Sequence, residues 1–142
     1  MKVKFKRLDG NAVLPAYAKP GDAGMDLTAL SVKKEGWLFP KYTYSTGLAV
    51  EFPMGNVALA FPRSSIHKYF QVLTNSVGVI DSGYRGEIKA VFRGFLWFGS
   101  KYKPGDRICQ LVFIELPDIE IEHSFNLSET ERGTGGFGSS GK

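Results

Sequence analysis

One stretch of the chain carries a carboxylate, a phenol and a cation within a few residues: Asn75-Ser76-Val77-Gly78-Val79-Ile80-Asp81-Ser82-Gly83-Tyr84-Arg85-Gly86-Glu87. Apolar Val77, Val79 and Ile80 lead into a turn that opens on Asp81 and is followed by Tyr84. Turn chemistry alone accounts for Asp81 and Gly83. An aspartate at the lip of a buried strand is also well placed to orient a water as general base, and a tyrosine one turn away can pack flat against a sugar. A second group, Pro62-Arg63-Ser64-Ser65, offers a cation, two hydroxyls and backbone amides where a strand runs into a helix, a place that attracts anions. Taken alone, it reads as an N-cap serine beside a surface arginine. Asp26, within Ala23-Gly24-Met25-Asp26-Leu27, is a turn aspartate or a carboxylate for a magnesium ion that rides on substrate phosphates. Such a metal needs only one or two carboxylates and tolerates contact through water.

Other groups are excluded. His67 and His123 are far apart and belong to no Cys/His cluster, which argues against zinc. In Gly105-Asp106-Arg107-Ile108-Cys109-Gln110-Leu111-Val112-Phe113 a turn feeds a strand. There Asp106 and Arg107 are expected to pair, and Cys109 to be a small core residue. No acid or base lies near Cys109 in sequence, so it is not a candidate nucleophile. The last segment, Arg132-Gly133-Thr134-Gly135-Gly136-Phe137-Gly138-Ser139-Ser140-Gly141-Lys142, is too glycine-rich to pack a core or hold a strand. A plain linker needs neither its arginine nor its phenylalanine, whereas a flap that wraps phosphate and stacks on a base needs both.

The elements that must position these groups are short. Val3 to Leu8, Tyr42 to Val50, Val57 to Phe61, Glu87 to Arg93 and Ile108 to Leu116 read as strands. Turns at Pro20-Gly21-Asp22, Pro53-Met54-Gly55, Asp81-Ser82-Gly83 and Pro104-Gly105-Asp106 separate them. One short helix is expected after Arg63, through about Tyr69. The sum is an all-β barrel or sandwich, with residues 1–131 as the core and 132–142 as a mobile tail.

A chain of 142 residues, 43% hydrophobic, suits one domain with a real core. No apolar stretch is long enough to span a bilayer. The basic, alternating start, Met1 to Arg7, lacks the apolar block of a signal peptide. A single cysteine fits a reducing cytoplasm. The net charge of +4 is scattered, without the aromatic-basic stripe that tracks nucleic acid, and it suits a small polyanion such as a nucleotide.

Five segments, in order, resemble the five motifs of the trimeric dUTPase family: Ala23 to Leu27, Pro62 to Ser65, Gly78 to Glu87, Gly105 to Leu111, and Arg132 to Gly141. The resemblance implies a jelly-roll-like β fold and a homotrimer whose active sites are each built from all three subunits. It implies hydrolysis of dUTP to dUMP and pyrophosphate by water attack on the α-phosphate, with Mg2+ on the triphosphate. Such an activity limits uracil in DNA and supplies dUMP for thymidylate synthesis. Carried over by matching positions, Asp81 would orient the water and touch the 3′-hydroxyl. Tyr84 would pack on the sugar and exclude a 2′-hydroxyl. Asn75 and the backbone around Val79, Ile80 and Lys89 would read uracil in a hairpin pocket too narrow for a 5-methyl group. Arg63, Ser64, Ser65 and Gln110 would hold phosphates, and Asp26 would support the metal through water. Arg132 would reach the γ-phosphate, with Phe137 over the uracil and Gly138 near the phosphates.

Two positions depart from the family pattern. Met25 stands where an aromatic residue or leucine is usual, and Ser65 where glycine is. The second points toward the dCTP deaminases, which the resemblance makes a sister family. Those enzymes need a glutamate on the strand after the aspartate turn, and Ile88-Lys89-Ala90-Val91-Phe92 has none. A third reading is a binding or regulatory protein that keeps the fold without turnover, because fold alone does not fix function. The cluster Phe92, Phe95, Trp97 and Phe98 is expected in the core or at a subunit interface.

Overall fold

The computed structural model describes residues 1–94 and 99–136. Ten strands follow one another: β1 (Lys4–Arg7), β2 (Met25–Thr28), β3 (Ser31–Glu35), β4 (Lys41–Ser45), β5 (Leu48–Glu51), β6 (Asn56–Pro62), β7 (Gln71–Leu73), β8 (Gly78–Asp81), β9 (Lys89–Gly94) and β10 (Arg107–Glu115). They form three antiparallel sheets, ordered β1-β5, β2-β10-β6-β8 and β3-β4-β9-β7. The only helix among the described residues is a single 3-10 helix, Ser64–Lys68, close to the expected span. No helix of the described residues is long and apolar enough to cross a membrane. The fold is thus nearly all β, in agreement with the jelly-roll reading.

The two larger sheets share one core. Leu27, Ala58, Ile108, Cys109 and Leu111 from the first meet Tyr42, Tyr44, Leu73, Ala90 and Phe92 from the second, with Leu48 and Val50 of β5 completing the cluster. Tyr44 is wholly buried, and its hydroxyl is satisfied: it donates to Tyr102 O at 3.0 Å and accepts from Gln71 Nε2 at 3.0 Å. Burial pushes its phenol up to about 12. Phe92 is core, while Phe95, Trp97 and Phe98 lie outside the described residues.

Three expectations need correction. Tyr42 to Val50 is two strands in two different sheets. The chain turns at Gly47, whose φ is +68°; an added Cβ there would stand 2.7 Å from Leu30 Cδ2, so the position requires glycine. The strand before Asp81 is not buried: β8 is the outer strand of its sheet, and Val79 is 65% exposed. The helix is capped by Arg63, not a serine, with no side-chain cap bond.

Cys109 is a core residue, as expected, and burial raises its thiol from 9.0 to about 12. Below the ordinary value the buried thiol contributes its full stabilisation. As pH rises from there toward 12 the unfolded thiol ionises first and that contribution is lost. The native protein is therefore expected to resist iodoacetamide at about pH 8 and to react only once unfolded in urea, a comparison that mass spectrometry reads directly.

Candidate active site

β8 and β9 are consecutive in the chain but lie in different sheets, so residues 82–88 cross a gap instead of closing a paired hairpin. The gap is a cleft of about 250 Å³, lined by Asn75, Val79, Ile80, Asp81, Tyr84 and Lys89, all expected from sequence, together with Ala60, Gly78, Glu87 and Ile88. As the edge of its sheet, β8 bonds to β6 on one side only and leaves peptide groups on the other side open to a ligand.

The connection is braced along its length. Tyr84 N donates to Asp81 O at 3.0 Å, and Arg85 Nη1 donates to Ser82 O at 2.6 Å and Tyr84 O at 2.9 Å. The far end is tied to the β4–β5 turn: Ile88 N donates to Leu48 O at 2.8 Å and Thr46 Oγ1 to Ile88 O at 2.7 Å. Glu87 was not anticipated as part of the site. Its Oε1 accepts from Gly47 N at 2.9 Å and its Oε2 pairs with Lys89 Nζ at 3.1 Å. By contrast, no hydrogen bond or ion pair engages the Asp81 carboxylate among the described residues. A brace uses its oxygens on protein donors, whereas a base must keep them for water.

A second cleft, of about 220 Å³, is lined by Ala18, Asp22, Ala23, Gly24, Asp26, Arg63, Ser64 and Gln110. Strand pairing assembles it: Gln110 on β10 sits opposite Asp26 of β2 and opposite Phe61 of β6. Gly24 leaves room for Gln110, since an added Cβ would stand 3.1 Å from Gln110 Cβ. Asp26 is held by two arginines, Arg63 Nε at 2.7 Å and Arg107 Nη1 at 2.9 Å. Arg107 therefore does not pair with Asp106, whose carboxylate instead accepts from Lys103 N at 2.7 Å. Sequence reading missed Arg107 because its partner is 81 positions away.

Asp26 and Arg63 are largely shielded from water while Arg107 is about half exposed, so removing the carboxylate leaves the Arg63 guanidinium without its partner and a second cation beside it. Asp26→Ala is expected to cost about 2 kcal/mol, read as a lower urea midpoint at unchanged slope.

Not every expected residue joins a cleft. Ser65 lines neither and stands near the buried Tyr102 hydroxyl. Arg132 lines neither; its Nε donates to Gly135 O at 2.9 Å. Phe137 and Gly138 lie outside the described residues. No group of three or more His, Cys, Asp or Glu residues is gathered for a metal among the described residues. Both Asp26 oxygens already accept from arginines, so a hard cation that keeps its waters and arrives on phosphates would reach this carboxylate only through a water, beside Ser64.

Comparison with known proteins identifies the family. Deoxyuridine 5'-triphosphate nucleotidohydrolase of Desulfitobacterium hafniense (strain DSM 10664 / DCB-2) is 44% identical over 99% of this chain and 95% of its own length. The protein of that name from Gloeothece citriformis is 36% identical over 99% of this chain and 97% of its own. Among solved structures, the Staphylococcus bacteriophage 80alpha dUTPase with dUPNHPP superposes with a TM-score of 0.83 at 28% identity, covering 99% of each chain. The dUTPase family model matches residues 10–141, which takes in both clefts and the glycine-rich tail; the chain belongs to the dUTPase family.

Proposed function

We propose that this chain is a dUTP diphosphatase that converts dUTP to dUMP and pyrophosphate, with the cleft at Asp81 taking the deoxyuridine and the cleft at Arg63 the phosphates. The observation that carries the reading is the contrast between the two carboxylates of the first cleft: Glu87 is fully engaged, and Asp81 is free to orient a water. The open edge of β8 around Val79 and Ile80, with Asn75 and the Lys89 backbone, supplies donors and acceptors for the uracil edge. Tyr84 lies against the sugar, where a 2′-hydroxyl would collide with its ring.

Arg63, Ser64 and Gln110 hold phosphate oxygens by charge-assisted and neutral hydrogen bonds, and Ser65 is assigned there by its place in the motif. Asp26 would hold Mg2+ through water. Bound on the triphosphate, the ion supplies charge neutralisation, the main demand of phosphoryl transfer besides positioning. Asp81 takes the proton of the water that attacks the α-phosphorus, and pyrophosphate leaves. Arg132, Phe137 and Gly138 close over the nucleotide, excluding other water. The activity would limit uracil in DNA and supply dUMP for thymidylate synthesis, in the cytoplasm.

No residue lines both clefts. This supports a homotrimer in which the nucleoside cleft of one subunit faces the phosphate cleft of another, and a third subunit lends its tail. Light scattering is expected to return a trimer; a monomer with full activity would contradict the assignment.

A panel of dUTP, dCTP, dTTP and UTP with magnesium, assayed for pyrophosphate and ammonia, tests the chemistry. Pyrophosphate from dUTP alone is expected. Ammonia from dCTP would make the chain a deaminase instead, and no product from any of the four would leave a binding protein.

A further inference from the structure

Tyr84 does not lie flat by its own preference; the backbone beside it makes the space. Its ring folds back over Gly86, and its hydroxyl donates to Glu87 O at 3.0 Å. A Cβ on residue 86 would stand 2.5 Å from Tyr84 Cζ and 2.9 Å from Cε2, closer than atoms approach without something moving. The φ of Gly86 is not in the left-handed region, so an alanine backbone would be unstrained there. Glycine is therefore present for the ring, not for the turn. Gly83, three residues earlier in the same crossing, gives the contrast: a Cβ there meets nothing within 4 Å.

We infer that Gly86 is a positioning residue that sets sugar specificity: by lacking a side chain it lets the Tyr84 ring lie back with its hydroxyl on Glu87 O, and so fixes the surface that separates 2′-deoxyribose from ribose. The inference rests on the proposed dUTP reading. Tyr84 is 45% exposed and makes no aromatic contact among the described residues, which leaves the Gly86 gap and the Glu87 bond as the specific features that seat its ring. Glu87 is anchored in turn to Gly47 N and Lys89. A methyl group at residue 86 pushes the ring out of this seat, toward the place of the sugar.

The test compares kcat/KM for dUTP and for UTP in the full-length protein, in Gly86→Ala, in Gly83→Ala, in Tyr84→Ala and in the double variant. Gly86→Ala is expected to lower the dUTP to UTP preference by about tenfold or more, since one carbon added to or removed from a discriminating pocket is worth about 10–200-fold. Gly83→Ala should keep the preference. In the Tyr84→Ala background the additional Gly86→Ala change should leave the ratio where it is, because Gly86 acts through the ring alone. A crystal structure of Gly86→Ala should have the Tyr84 hydroxyl off Glu87 O. An unchanged preference in Gly86→Ala, with wild type hydrolysing dUTP, would overturn this inference and leave the functional reading intact. So would an equal further loss in the Tyr84→Ala background. Wild-type protein that hydrolyses neither nucleotide would overturn the reading, and this inference with it. If Gly86→Ala does not fold, Tyr84→Phe tests the same seat by removing the Glu87 bond: the preference should fall, and an unaltered one would overturn the inference.

Discussion

Asp81→Asn is expected to bind dUTP with near-normal affinity and to lose about 10²–10⁴-fold in kcat. The amide is the same shape as the carboxylate and keeps a hydrogen-bonding oxygen, but it cannot take the proton of water. The subunit fold should be untouched, because the carboxylate makes no hydrogen bond or ion pair among the described residues. The turn itself is held by the backbone bond from Tyr84 N to Asp81 O, which the substitution leaves alone. Stopped-flow binding and steady-state turnover separate the two quantities. Near-normal kcat would reduce Asp81 to a turn residue and remove the proposed base.

Deleting residues 132–142 is the second large effect. The β core ends at Glu115, residues 117–131 form no strand and are exposed, and the described part of the deleted segment, residues 132–136, contributes nothing to the core. The melting temperature should hold while kcat/KM falls by at least about 10²-fold, the scale set by misplacing a reacting group. Glycine lets amides approach phosphate oxygens closely but increases the entropy lost on closing. Arg132 must offset that loss by a charge-assisted contact, and Phe137 by stacking on the base. Among the described residues the Arg132 side chain bonds to its own turn, at Gly135 O, a contact that can be released to a phosphate at little cost. Phe137→Ala should lose about 1–3 kcal/mol of the binding. A truncated enzyme with unchanged kcat/KM would make the tail an inert linker.

The two halves of the site were not equally legible in the sequence. The nucleoside cleft is built mostly from residues 75–89, so local order carried Asn75, Asp81, Tyr84 and Lys89 into one place. Its openness was not legible, because whether a strand is central or at an edge depends on partners elsewhere; β8 read as buried and is an edge. The phosphate cleft gathers Asp26, Arg63 and Gln110 only through the pairing of β10 with β2 and β6. Motif resemblance found those residues. Physical reading of the neighbourhood alone paired Arg107 with the wrong aspartate. β2, β3 and β7 are three to five residues long, and β3 is mostly lysine and serine, so neither length nor alternation marked them. Gly47 broke an expected strand because a single glycine between an alternating run and an apolar one does not declare its φ.

In the proposed trimer a complete site joins the Asp81 cleft of one subunit to the Arg63 cleft of another. Co-refolding two inactive variants, Asp81→Asn and Arg63→Ala, and assaying dUTP hydrolysis tests this. Each mixed trimer would contain a site with an intact Asp81 cleft from one variant and an intact Arg63 cleft from the other, so activity should return. A mixture as inactive as its components, with mixed trimers demonstrated by mass, would contradict the account and put both clefts to work within one chain.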